Sequence, residues 1–195
     1  KNNLEIPVHL EDYTLLLQPG LKLNFLNNAS LTIYSNVETE KNNTDQNIII
    51  NSKSKSSYIK FFGKKNKLYN VNFTNFNFTK IKNENFLTSP ITFYESNVEL
   101  INISIENINA EDLLNIVNSN FKIENSNFNN STSDLVDIDN SIGEIINSKF
   151  INCQNDCLDF SGSEVKLENI YIENSGDKGL SVGENSNINI NNLLI

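Results

Sequence analysis

Two sets of aspartates recur at a fixed interval in this chain: Asp112, Asp134 and Asp156 stand 22 residues apart, and so do Asp137 and Asp159. Asp139 lies two residues beyond Asp137, and Asp177 falls one residue short of the next position in the first series, with Lys178 beside it. Carboxylates that repeat with the period of a fold stack on one another. At a strand spacing of about 5 Å and an effective dielectric near 20, two such charges repel by roughly 3 kcal/mol. The repulsion is offset when one carboxylate keeps its proton at a raised pKa, or when a cation lies between the two. A cluster of hard oxygen donors with flexible geometry suits calcium, which makes Asp134, Asp137, Asp139, Asp156, Asp159 and Asp177 the candidate metal ligands. Acid–base chemistry would instead use Asp137, Asp156 and Asp159, with Lys178 as the base. A plainer role is open to Asp112, Asp134 and Asp156, which stand where each strand begins and can cap loops by bonding to their own backbone. Asp137, Asp139 and Asp159 stand mid-strand, where Asp is disfavoured.

The elements that would position these groups follow from the same interval. The apolar pair Leu114/Ile116 returns as Val136/Ile138, Leu158/Phe160 and Leu180/Val182 at steps of 22, and Ile91/Phe93 precedes it by 23. A serine follows each pair (Ser96, Ser119, Ser141, Ser163, Ser186). Two and four residues later come Val98/Leu100, Phe121/Ile123, Gly143/Ile145, Val165/Leu167 and Ile188/Ile190. That period-2 alternation marks short strands. Six residues after each serine stands an asparagine (Asn102, Asn125, Asn147, Asn169, Asn192), then an apolar residue three further on, then a second asparagine column at Asn107, Asn130, Asn152 and Asn174. Self-similarity at this period is the mark of a solenoid. With three strands and no helical segment in each rung of about 22 residues, the fold class is all-β, a parallel β-helix. Asn tolerates left-handed backbone angles and its amide can bond to the Asn one rung away, so the two columns should form internal amide ladders.

At this rung length the 195 residues supply eight or nine coils, a single rod-like domain of order 40 Å long. Residues 1–35 read as an N-terminal cap and first coils, with Pro7 and the lone His9 in the cap, and 90–195 as the regular rungs. Val37–Asp45 reads as a loop leaving the rod, Asn47–Ile50 and Tyr58–Phe62 as strands joined by a Ser/Lys turn at 52–57, and Asn77–Ser89 as an insertion of about ten residues bordering a binding surface. A net charge of −9, with 15 lysines and no arginine, lacks the footprint of a nucleic-acid binder. No apolar run approaches the 20 or so residues of a membrane-spanning helix. Cys153 and Cys157 flank one loop, as a local bridge or as two thiols. The chain ends inside a strand pattern at Leu193-Leu-Ile195 and reads as a piece of a longer protein.

The order strand, serine turn, strand, asparagine turn, strand, long loop resembles the right-handed parallel β-helix of pectate lyases and their relatives. The segment Leu15-Leu-Leu-Gln-Pro-Gly-Leu-Lys-Leu-Asn-Phe25, followed by Ala29-Ser-Leu-Thr-Ile33, looks like the opening coils of secreted bacterial β-helix proteins. The resemblance implies a secreted or cell-surface protein whose outer strand face carries calcium and polysaccharide. It does not supply the enzymes' catalytic parts: polyuronate lyases of this fold use an arginine or lysine base, its hydrolases carry Gly-His-Gly and Arg-Ile-Lys segments, and here only Lys178 lies near the acidic face. Lys178 sits in the glycine-rich Gly176-Asp-Lys-Gly-Leu-Ser-Val-Gly-Glu184, a loop that lets a ligand approach the backbone closely or a bulged turn. The leading expectation is therefore a scaffold whose acidic face binds a divalent cation and a polysaccharide. A lyase or epimerase acting on uronate-containing glycans, and a purely structural adhesin or fibre rod, are the alternatives.

Overall fold

In the computed structural model, residues 13–40, 46–78 and 88–195 are described in full, together with the backbone of Asn3–Glu5. The chain winds into a parallel β-solenoid of about seven turns, at about 23 residues per turn. The first sheet holds eight strands, from Asn3–Glu5 through Ser30–Ile33, Ile59–Phe61, Ile91–Tyr94, Asp112–Val117, Asp134–Asp139 and Leu158–Ser161 to Leu180–Val182. The second runs from Thr14–Leu17 through Asn36–Thr39, Lys65–Tyr69, Asn97–Ile101 and Asn120–Glu124 to Ile142–Ile146. The third runs from Lys22–Phe25 through Ile48–Ser52, Val71–Thr74, Ser104–Ile108 and Asn127–Ser131 to Lys149–Cys153. Glu164–Ser175 passes through both and joins them, and Asn187–Leu194 pairs on it. Leu114, Val136, Leu158 and Leu180 are in register, as their spacing requires.

A short loop, such as 154–157, leads from the third sheet back to the first, and residues in the left-handed region bend the chain at its corners. Asn does this at low cost because its short amide bonds locally. Asn102, Asn125, Asn147, Asn169 and Asn192 form one such column and Asn107, Asn130, Asn152 and Asn174 another, all with φ between 50° and 63°. A third column precedes the serines at Glu95, Asn118, Asn140, Gly162 and Asn185. Gly162 has φ 63° and a Cβ there would stand 2.5 Å from Asn140 Oδ1, so the glycine serves both conformation and space. The amide ladders are present: Asn147 Nδ2 donates to Asn125 Oδ1 at 3.3 Å and Asn169 Nδ2 to Asn147 Oδ1 at 3.0 Å. They lie on the exposed corners rather than inside, since a residue that turns the backbone outward carries its side chain with it. The serines form a further ladder, with the N–H of Ser119 donating to Ser141 Oγ and that of Ser141 to Ser163 Oγ, both at 3.0 Å.

The interior is aliphatic and phenylalanine, with equivalent rings stacked turn on turn: Phe61 over Phe93 at 4.4 Å and Phe128 over Phe150 at 4.9 Å between centroids. Gly143 occupies an inward position of the second sheet and leaves room for the Phe121 ring, 2.6 Å from where its Cβ would be. On the outside of the same sheet, the register places Glu38, Lys67, Glu99, Lys122, Glu144 and Lys166 in one column of alternating sign. Lys67 pairs with Glu99 at 2.9 Å and Lys122 reaches Glu144 at 3.6 Å.

Several expectations are corrected. There are fewer coils than eight or nine because the early turns are longer: the Asn24–Asn51 step is 27 residues and the Asn70–Asn102 step 32, against 22 for Asn125–Asn147. Asn36–Thr39 is a strand, not a loop; its inward Thr39 takes the place of an aliphatic residue, accepting the Tyr69 N–H on Oγ1 at 2.7 Å. Lys65–Tyr69 is likewise a strand that polarity hides, because inward Asn66 is buried and donates to Ser96 Oγ at 2.6 Å. Asn3–Glu5 pairs with Ser30–Thr32. The rest of the expected cap, with Pro7 and His9, lies outside the described residues, as do 41–45 and most of the 77–89 insertion.

The corners yield the first prediction. Asn147→Ala removes both ladder bonds and places a Cβ residue without a local amide at φ 50°, so it should cost about 1–3 kcal/mol. Asn147→Gly loses the bonds but not the conformation and should cost less. Urea unfolding would read both, with a lower midpoint at unchanged slope; equal losses for the two variants would show that the left-handed angle carries no strain.

Candidate functional site

The aspartates fall on the outer face of the first sheet. Thr92, Asn115, Asp137, Asp159 and Ser181 are aligned there across five turns, and the column extends back to Lys60 and Thr32. Beside it run Tyr94, Val117, Asp139 and Ser161. That second column is aromatic at its start: Tyr34 stacks on Phe62 at 5.2 Å and Phe62 leans on Tyr94 at 5.9 Å. The face is not uniformly open. Thr92 and Asn115 are 1% exposed, whereas Asp137, Asp139 and Asp159 are half-buried.

The strand-entrance series Asp112, Asp134 and Asp156 divides. Asp134 Oδ1 accepts the Asp156 N–H at 2.8 Å and Asn155 Nδ2 at 2.7 Å, and Asp156 Oδ1 accepts the Lys178 N–H at 2.9 Å. These carboxylates do cap loops, but the N–H they hold is that of the next turn rather than their own. The chain step into Asp134 is different: its N–H goes to the Glu111 carbonyl at 3.1 Å, not to Asp112. Asp112 is released from the loop-capping role. It is 3% exposed, and its Oδ2 is covered with no hydrogen-bond partner. Asn115 Oδ1 is equally covered and unpartnered, while its Nδ2 donates to Asp137 Oδ2 at 3.0 Å.

Burial sets the electrostatics of this group. Asp137 is pushed up to about 9, first by burial and then by the charges of Asp112, Asp139, Asp159 and Asp134. Asp112 is pushed up to about 7, again mainly by burial. Burial also raises Asp134 and Asp139, in Asp139 against a bond from Asn115. Covered Asp112 and Asn115 and half-buried Asp137 thus form an oxygen-rich group that faces excess negative charge. Its unsatisfied acceptors call for a cation or a proton.

The remaining expected residues are engaged elsewhere. Lys178 Nζ lies between Asp177 and Asp156, 3.4 Å from Asp156 Oδ2, and its pKa is raised, first by the bond to Asp177. A lysine held this way keeps its proton, the opposite of what a general base requires. Among the described residues no three His, Cys, Asp or Glu side chains converge as a metal-holding group, so a cation here would need the Asn115 amide oxygen as well as carboxylates. Neither Asp112 nor Asn115 stands out by residue type, since each shares its column with residues of similar polarity. Asp112 differs from Asp134 and Asp156 in lacking the hydrogen bond from the N–H of the next turn and in having the Thr88 hydroxyl beside its carboxyl, where it works against the rise caused by burial. Cys153 and Cys157 are joined as a disulfide across the loop that carries Asp156, with Cα atoms 5.3 Å apart.

The chain matches no protein-family model, no curated protein and no solved structure. What stands is the parallel β-solenoid fold itself.

The raised carboxyls fix a pH dependence. An unfolded Asp titrates near 3.9, so between that value and the folded ones the native state holds more protons than the unfolded state, and stability falls as pH rises. The loss begins above about pH 4 and runs through about 7 for Asp112 and about 9 for Asp137. The melting temperature should drop from about pH 5 to about pH 9, and Asp137→Asn, which mimics the protonated acid, should flatten the drop. A wild-type melting temperature that climbs across this window would contradict the assignment.

Proposed function

We propose that the protein is an extracellular β-solenoid scaffold whose first-sheet outer face takes up a hard divalent cation, with calcium the best match, and lays a polysaccharide along the same face. The observation that carries this reading is the pair of covered, unpartnered oxygens, Asp112 Oδ2 and Asn115 Oδ1, beside the Asp137 carboxyl. An amide oxygen and two carboxylates are the donor types calcium takes. Half-buried Asp139 and Asp159 add negative charge at the rim. The aromatic column of Tyr34, Phe62 and Tyr94 beside the polar one supports the saccharide, because rings next to hydrogen-bonding groups suit a sugar's apolar and hydroxyl faces. The Cys153–Cys157 disulfide supports an oxidising, extracellular setting. The resemblance to pectate lyase-like proteins, which use the equivalent face, supports binding there. The ion pairs of Lys178 speak against lyase or epimerase chemistry in which it would act as the base.

Thermal unfolding with calcium or with chelator tests the reading, on wild type and on Asp112→Asn/Asp137→Asn. Calcium should raise the wild-type midpoint, with a gain approaching 2.7 kcal/mol at about a hundredfold excess over the dissociation constant, and the double variant should lose the response. An unresponsive wild type would leave the structural rod as the better description.

A further inference from the structure

The charge of this protein is segregated along the rod. Residues 88–195 carry seventeen Asp and Glu against four Lys, whereas 46–78, slightly more than one turn, carry six Lys and no acid. Lys53 and Lys55 project from the loop after the third-sheet strand, Lys60 lies on the first sheet, Lys64 follows it, and Lys65 and Lys67 are on the second sheet. The result is a basic collar on an acidic molecule.

The collar opens into a cleft of about 690 Å³ on the loop side of the solenoid. Lys53 and Lys55 stand on one wall, and Asn77 and Asn109, bridged in parallel, form another; Phe78 closes the floor and Glu111 is the single carboxylate of the lining. The wall bearing the lysines is built. Ser54 Oγ accepts the Asn28 N–H at 3.0 Å and donates to the Phe25 carbonyl at 3.2 Å, and the Ser56 N–H donates to Asn28 Oδ1 at 3.1 Å. The serines face in and the lysines out. Neither lysine forms an ion pair with any described residue, and the amide nitrogens of Asn77 and Asn109 donate no hydrogen bond within them. Among the described residues, two cations and two amide donors thus share one concave surface beside a single carboxylate, Glu111.

We propose that this cleft binds a polysaccharide bearing strongly ionised oxyanions, sulfate or phosphate. Charge-assisted bonds from lysine to such oxygens are the strong ones, and the amides suit sugar hydroxyls. Nucleic acid is a poorer match: the chain has no arginine for bidentate contacts, and Phe78 is only 7% exposed and offers no stacking face. The site shares no residue with the acidic face, and its test is run without calcium.

The test is retention on immobilised dextran sulfate and phosphorylated dextran, with neutral dextran as the blank. The wild-type protein should be held at low salt by at least one charged matrix, the stronger identifying the oxyanion, and pass through the neutral one. Lys53→Gln/Lys55→Gln should bind about tenfold more weakly, while Lys149→Gln/Lys166→Gln, with the same loss of charge at the acidic end, should elute with wild type. Circular dichroism would check that both variants fold. Failure of wild type to bind, or equal weakening by the two variants, would overturn the site. Competition by a single-stranded oligonucleotide as effective as dextran sulfate of equal charge would overturn the ligand class in favour of nucleic acid.

Discussion

In-register parallel stacking is the constraint on which everything else in this structure depends. The N–H and C=O groups along a strand are satisfied by the equivalent residues one turn away, so each side chain meets its own counterparts at intervals of about 4.8 Å. Apolar residues gain from this, as Phe61 on Phe93 and Phe128 on Phe150 show. Asparagine and serine gain as well, because each is donor and acceptor and can pass a bond along the column. The amides run in one direction, Nδ2 of each turn onto Oδ1 of the turn before. Serine reverses the sense, with its hydroxyl accepting the N–H of the preceding turn. Charge is the one property that stacking punishes.

Two faces of the same rod answer that penalty differently. On the second sheet the sign alternates at every step from Glu38 to Lys166, so each neighbour is attractive and the column also opposes a slip by one turn. On the first sheet Asp137 and Asp159 are direct partners with Asp139 alongside, and no lysine interrupts them. The cation in their own column, Lys60, is three turns away, about 14 Å at the strand spacing and beyond the Debye length of about 10 Å at moderate salt. A single Asp to Lys change would relieve the repulsion, which is the solution the second sheet adopts repeatedly. Its absence here, together with the burial that lifts Asp137, is what distinguishes the acidic face from an ordinary solvated surface.

How much of this the sequence disclosed follows from the same rule. Where turns keep to 22 or 23 residues, the columns are visible in the primary structure, and the register of Leu114, Val136 and Leu158 could be written down from spacing alone. Where an inward position is polar, the alternation disappears: Thr39 and Asn66 each conceal a strand, because each exchanges a hydrophobic contact for a hydrogen bond to a neighbouring turn. The aspartates were found by their spacing, yet spacing cannot tell Asp112 from Asp134. That difference resides in which oxygen the Asp134 N–H selects. The third left-handed column is hidden in the sequence because Glu95 and Gly162 break its residue type while keeping its angle.

The axial arrangement of charge adds a final consequence. The basic cleft ends at Asn109 and Glu111, and the next residue, Asp112, begins the buried acidic group. The two regions are thus continuous in the chain and successive along the rod. An anionic polymer lying over them meets lysines first and carboxylates next, and the second half repels it unless a cation is held there. A cation between Asp112, Asn115 and Asp137 would lower the negative charge of that half where it meets the basic cleft. Metal and polyanion would then favour each other, each raising the affinity for the other by the same factor, as linkage between two sites requires.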